Sequence, residues 1–196
     1  MDDFTVSYPE AKSIVYALIL THTFMDCAKE NPGPVPGPVD LSGNQERESY
    51  MHVNGSREIP AARQKVWEAF LDPEKLLQGI PGCEKLEALG NDEFKAVMKV
   101  GLSAVRAIFE GKFRFSEKNP LRSYRLSAEG NGQPGFVKTE TIVTFSDIEG
   151  GTLVCYSSKV QVTGLIASIG QRALDSAAKM IANQFFNRMS RLLNDS

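Results

Sequence analysis

From Phe94 to Val162 apolar and polar residues alternate, and the alternation restarts after each cluster of turn residues. Phe94, Ala96, Met98 and Val100 form one apolar row, and Val105, Ala107, Phe109, Gly111, Phe113 and Phe115 form the next. Tyr124, Leu126, Ala128 and Gly130 follow, then Thr141, Val143 and Phe145, then Val154, Tyr156, Ser158, Val160 and Val162. A strand places residues i, i+2 and i+4 on one face, so each row is one side of one strand. None of these residues is charged, whereas the positions between them include Lys95, Lys99, Arg106, Glu110, Lys112 and Arg114. The strands so predicted cover about 84–89, 93–101, 104–117, 122–130, 136–147 and 152–163, with turns at Gly90-Asn91-Asp92, Asn119-Pro120 and Gly150-Gly151. Short connections between successive strands predict an antiparallel meander.

Helical periodicity brackets the meander. His52 to Ile59 reads as a short strand, and Pro60 then opens a helix with Val66, Trp67, Phe70 and Leu71 on one stripe. Asp72 is placed to cap a second short helix that starts at Pro73 and buries Leu76 and Leu77, and Gly79, Pro81 and Gly82 form the turn after it. Residues 165–193 read as one long helix with Ile169, Leu174, Ala178, Ile181, Phe185, Met189 and Leu192 on its apolar face. Strand, two short helices, six strands and a long helix predict an α+β domain of the helix-grip, START-like type, in which a curved antiparallel sheet of about seven strands wraps the last helix.

This organisation starts near Met51. Asn31 to Pro38 reads NPGPVPGP, a run that admits neither helix nor central strand and reads as a linker. A short helix over 9–29 is the only element expected before it. Residues 1–50 are therefore either a disordered extension or upstream sequence included by placing the start before Met51, and 51–196 are the folded domain. Residues 1–50 hold eight acids against three bases, which leaves the domain nineteen bases and sixteen acids. So small a surplus gives no footprint for nucleic acid. The apolar run Ile14 to Leu20 is too short to span a bilayer and lacks a basic leader, and three cysteines, Cys27, Cys83 and Cys155, without CxxC spacing fit a reducing compartment. A cytoplasmic protein is expected.

The concave face has two outcomes: it packs solid against the last helix, or the alanines and glycines among its aromatics leave a void for a hydrophobic ligand. On the second outcome the contacts expected are Trp67, Phe70, Ile80, Met98, Ala107, Phe109, Phe113, Tyr124, Leu126, Val143, Tyr156, Leu165, Ile169, Leu174, Ile181 and Phe185. Gly164 and Gly170 bracket a turn free to swing, which places the mouth between 165–170 and the Ile80-Pro81-Gly82-Cys83 loop. Catalysis needs positioned acids, bases or nucleophiles, yet the histidines are His22 and His52 alone and no HExxH, GxSxG or Walker signature occurs. No metal site and no cofactor is expected. Tyr124, Tyr156 and Ser158 are candidates for orienting a ligand carbonyl. On the outer face, Lys95, Lys99, Arg106, Lys112 and Arg114 against Glu110 suggest either a solvated surface or contact with anionic lipid.

Glu58-Ile59-Pro60-Ala61 before Val66-Trp67, Asp72-Pro73, Ile80-Pro81-Gly82-Cys83-Glu84, Gly111-Lys112, Gly135-Phe136-Val137-Lys138 and Gln184-Phe185-Phe186 resemble the carbon monoxide dehydrogenase G-subunit family of the START-like (SRPBCC) superfamily. The resemblance covers nearly all of 51–196 and none of 1–50. It departs at Gln161-Val162-Thr163-Gly164-Leu165, where the family shows a glycine pair followed by lysine. It implies a non-enzymatic accessory protein that carries a lipid or quinone and docks a molybdenum hydroxylase of the carbon monoxide dehydrogenase type at the inner face of the cytoplasmic membrane. Two other readings stay open: a recruitment factor with a filled core, and an enzyme of the polyketide cyclase or dehydratase type.

Overall fold

The structure, a computed structural model, describes residues 48–102 and 105–194. The helix expected over 9–29, the linker and Cys27 lie outside the described residues. The chain divides after Pro38 into two units, and all described residues belong to the second.

Seven strands form one antiparallel sheet: β1 (Glu48–Ile59), β2 (Cys83–Gly90), β3 (Glu93–Leu102), β4 (Val105–Asn119), β5 (Ser123–Gly132), β6 (Gly135–Ile148) and β7 (Gly151–Thr163). The spatial order is β1-β7-β6-β5-β4-β3-β2, so the meander runs in sequence and the first strand returns to pair with the last. The connection from β1 to β2 crosses to the other edge through α1 (Arg63–Ala69) and α2 (Pro73–Gly79). Asp72 caps α2 as expected, its carboxylate accepting from the backbone of Glu74 at 2.8 Å and Lys75 at 3.3 Å.

β1 begins before the Met51 boundary read from the sequence, because Glu48, Ser49 and Tyr50 pair with Thr163, Val162 and Gln161. Backbone pairing at an edge needs no apolar side chain, so periodicity could not find these residues. The Gly130-Asn131-Gly132-Gln133-Pro134-Gly135 stretch has the spacing of a dinucleotide-binding glycine motif, but it joins β5 to β6 and no helix follows it.

The last helix is also two elements. Leu165–Ile169 form a 3-10 turn, and the α-helix α3 spans Gln171–Asn194. Gly164 (φ 81°) and Gly170 (φ 94°) take left-handed conformations that break the helix, which glycine alone adopts freely. Nothing lies within 4 Å of a Cβ built at Gly170, so that glycine serves backbone conformation rather than close packing.

The core has two parts. Ile59, Val66, Trp67, Phe70, Tyr124, Phe145, Val154, Phe186 and Met189 form one dense cluster under α1, α2 and the C-terminal half of α3. Trp67 meets Phe145 edge-on at 5.4 Å and Phe186 stacks on Tyr156 at 5.4 Å. The second cluster, at the other end of α3, holds Met51, Val53, Phe109, Val162, Ile166 and Leu174. On α3 the deeply buried residues are Leu174, Ala177, Phe186, Met189 and Leu193. Phe186 and Leu193 thus go deeper than the neighbouring Phe185 and Leu192, since Phe186 is the ring that reaches Tyr156.

Gly111 of β4 faces Gly130 of β5. A Cβ on Gly111 would fall 2.1 Å from the Glu129 carbonyl, whereas one on Gly130 would meet nothing nearer than 3.9 Å. Gly111→Ala should therefore cost ~1–3 kcal/mol as the backbone shifts. Gly130→Ala should change stability by less than ~1 kcal/mol. Urea unfolding of the two variants measures the difference.

Candidate ligand cavity

The strand register turns the apolar rows into lines that cross the sheet. One line runs Ala96, Gly111, Gly130, Val137 and Val162; the next runs Phe94, Phe113, Ala128, Thr139, Val160 and Met51. Farther along, Phe115, Leu126, Thr141, Ser158 and Val53 share a line, followed by Tyr124, Val143, Tyr156 and Gly55. Beneath the large residues of the later lines the concavity is filled. Beneath the small ones it is open. The helix does not compensate, because Ala177 and Ala178 sit where α3 faces the alanines and glycines of β3, β4 and β5.

The resulting cavity measures about 260 Å³ and is walled by Met51, Ala96, Met98, Val100, Phe109, Gly111, Phe113, Ala128, Gly130, Val137, Thr139, Val160, Val162, Ile166, Leu174, Ala177, Ala178 and Ile181. Lys112 and Glu129 also border it, although strand alternation places their side chains on the outer face. An apolar void of about 150 Å³ already stays dry and accepts benzene, so this one has room for a larger apolar group. Met98, Val100, Phe113, Ala128, Val137, Ala178 and Ile181 are only half-buried although they face the interior, so the cavity is open to solvent rather than sealed. On the far side α3 is tied to β1: the Ser49 hydroxyl donates to Gln171 Oε1 at 2.8 Å, and the Arg57 guanidinium donates to Asn183 Oδ1.

Residues 55–194 match the family model described as CoxG, the G subunit of carbon monoxide dehydrogenase. The chain belongs to the CoxG family. A crystal structure of a conserved protein from Geobacillus kaustophilus is similar over 74% of this chain and 97% of its own, with 32% identity and a TM-score of 0.72. The Zhui aromatase/cyclase from Streptomyces shares the fold at 13% identity and a TM-score of 0.57, over 74% of this chain and 94% of its own. Ara h 8.0201 shares it at 12% identity and a TM-score of 0.56, over 76% and 100%. No curated protein matches the sequence significantly. The helix-grip fold expected from element order is therefore the fold of this CoxG family member.

Of the contacts expected from the sequence, Met98, Phe109, Phe113, Leu174 and Ile181 line the cavity of this family member. The others do not. Trp67, Phe70, Tyr124 and Val143 are buried in the dense cluster, with Ile80, Leu126, Tyr156 and Phe185 packed against it. Ala107 and Ile169 support the second cluster without reaching the void, and Leu165 is 73% exposed. The sequence reading favoured large aromatics, but large side chains close a concavity and small ones leave it open. Ala96, Gly111, Ala128, Gly130, Ala177 and Ala178 line the void without a large side chain to mark them in the sequence, and Val137 and Thr139 extend the inner row of β6 ahead of Thr141. Strand register deduced from the turns would have aligned the small residues.

The expected mouth also moves. The 3-10 turn docks on the β5–β6 connection, with the Ile166 amide donating to the Pro134 carbonyl at 2.7 Å. Gly79, next to Ile80, lies against Met189 near the other end of α3. Eighteen helical residues, roughly 27 Å, separate Gln171 from Met189, so the two segments cannot form one rim.

The basic outer face is more balanced than Glu110 alone implied. Glu93 bonds Arg114 at 2.6 Å and Lys112 at 3.6 Å, and Glu84 bonds Lys99 at 2.6 Å. Glu93 shares the alternation of Lys95, and Glu84 arrives from β2. Among the described residues no cluster of His, Cys, Asp and Glu could hold a metal ion, and no helix is long and apolar enough to cross a membrane.

Burial pushes the Tyr124 phenol far above its ordinary value of 10.0 and raises Tyr156 as well, the latter tempered by Arg57. A raised phenol is held neutral in the folded state, so its contribution is complete below the unfolded pKa and is lost as pH rises above it. Stability should thus fall above pH ~10, by up to about 1.4 kcal/mol per pH unit for Tyr124. Tyr124→Phe should flatten the fall in urea unfolding followed from pH ~9 to ~11.

Proposed function

We propose that this protein is a non-enzymatic accessory factor that holds a lipid or quinone in the cavity between the sheet and α3 and serves a molybdenum hydroxylase of the carbon monoxide dehydrogenase type at the membrane. The observation that carries the reading is the open apolar cavity of about 260 Å³ facing Leu174, Ala177, Ala178 and Ile181. Family membership supports the accessory role and the hydroxylase as partner. The shape of the site supports binding over catalysis: its inward side chains are aliphatic or aromatic apart from the Thr139 hydroxyl, and neutral hydroxyls without a base make poor acids and nucleophiles. Likeness to an aromatase/cyclase at 13% identity reaches the fold alone.

Native mass spectrometry and solvent extraction of the purified protein should reveal a bound apolar molecule. After delipidation, the protein should bind N-phenylnaphthylamine with a rise in the dye's fluorescence. An added dye is the better reporter, since Trp67 lies in the dense cluster, away from the cavity. Ala128→Phe should fill the void and weaken binding at least about tenfold, equivalent to about 1.4 kcal/mol. Its melting temperature should stay within ~5 °C, because a void absorbs the added ring. Delipidated protein that takes up no dye, together with a steep loss of stability in Ala128→Phe, would mean that the core is solid. A recruitment factor would then be the better reading. Co-purification of a molybdenum hydroxylase on the tagged protein tests the partner separately.

A further inference from the structure

Two polar residues are buried among the described residues, Thr141 at 8% and Thr152 at 0% exposure. Thr152 is closed off, its hydroxyl donating to the Ala61 carbonyl at 2.7 Å. Thr141 is not closed off. Its oxygen lies 2.7 Å from Ser158 Oγ on one side and 3.4 Å from Thr139 Oγ1 on the other, and Thr139 borders the cavity. Valine has the shape of threonine and would occupy either site on β6 without the cost of burying a hydroxyl.

Three hydroxyls in a line carry three protons, and the two bonds within the line use two of them. Where the bonds run from Ser158 through Thr141 to Thr139, the Thr139 proton is left to donate into the cavity. In the opposite direction Thr139 keeps a lone pair to accept. Hydroxyl protons reorient freely, so the line suits either a carbonyl or a hydroxyl on an otherwise apolar ligand.

A carboxylate fits poorly. Burying one requires cationic or multiple donor partners. Lys112 turns to the outer face and bonds Glu93 at 3.6 Å. Arg57 is the charge on the inner row of β1; one guanidinium Nη donates to Asn183 and its buried Nε has no partner among the described residues, but it lies six residues beyond Met51, roughly 20 Å along the strand from this line.

We propose that Thr139, backed by Thr141 and Ser158, is the specificity-determining polar contact of the cavity, and that the ligand is an apolar molecule bearing an uncharged carbonyl or hydroxyl oxygen rather than an acid. This inference rests on the ligand-holding reading given above and adds the chemistry of the ligand's polar end.

The test is displacement of N-phenylnaphthylamine from delipidated protein by decane, decanol, methyl octyl ketone and decanoate, four probes of matched chain. The ketone and decanol should compete about tenfold better than decane, the effect of one neutral hydrogen bond, and decanoate should be weaker than either. Thr139→Val should bring the ketone and decanol down to the level of decane and leave decane itself unchanged, while Thr139→Ser should keep the preference. Thermal melting checks each fold, and Thr139→Ala replaces the valine variant if that one melts early. A preference that survives loss of the hydroxyl, or decanoate binding tightest to the unaltered protein, overturns the proposal. Failure of all four probes, decane included, is a different result: it removes the ligand-holding reading, and the proposal falls with it.

Discussion

The close approach of β4 and β5 at Gly111 is the constraint on which the rest of the architecture turns. With the Glu129 carbonyl 2.1 Å from where a Cβ would stand, only glycine is accommodated there without moving the backbone. That glycine faces Gly130 on one side and Ala96 on the other, so one line across three strands is nearly bare of side chains. The same requirement that lets the backbones approach also removes the atoms that would otherwise fill the concavity. The cavity is a consequence of how the sheet is built, rather than a flaw in its packing.

Stability and cavity are kept apart along α3. Its C-terminal half brings Phe186, Met189 and Leu193 against the aromatic cluster beneath α1 and α2, where burial is nearly complete. Its N-terminal half offers two alanines to a floor of small residues, while Leu174 packs into the second cluster and Gln171 accepts from Ser49 of β1. Unfilled volume costs stability, and the dense half offsets it with interlocking rings such as Trp67 on Phe145 and Phe70 on Phe145. A helix anchored by a cluster at each end can border an open space between them without loosening the whole domain.

An aromatase/cyclase shares the fold at 13% identity, and a fold by itself does not fix chemistry. In this member of the CoxG family the lining is apolar on its inward face, with the Thr139 hydroxyl as the polar exception and Arg57 kept to the far end. The hydroxyl line supplies hydrogen bonding without charge beside that apolar lining.

The elements and their sidedness are legible in the amino-acid order alone. Alternation from Phe94 to Val162 is a local property of strands, the Asp72-Pro73 cap is local to α2, and the motifs around Pro60, Ile80-Pro81-Gly82 and Gln184-Phe185-Phe186 carried the family. Where partners are fixed at long range the sequence ran out. The added first residues of β1 depend on β7 extending to Thr163, and the break at Gly170 depends on a left-handed backbone that a helical pattern does not reveal. Trp67, Tyr124 and Phe185 looked like ligand contacts because they are large and inward. Which inward residues have a neighbour to fill the space before them is a long-range property, since it depends on which strand and which turn of α3 stand opposite.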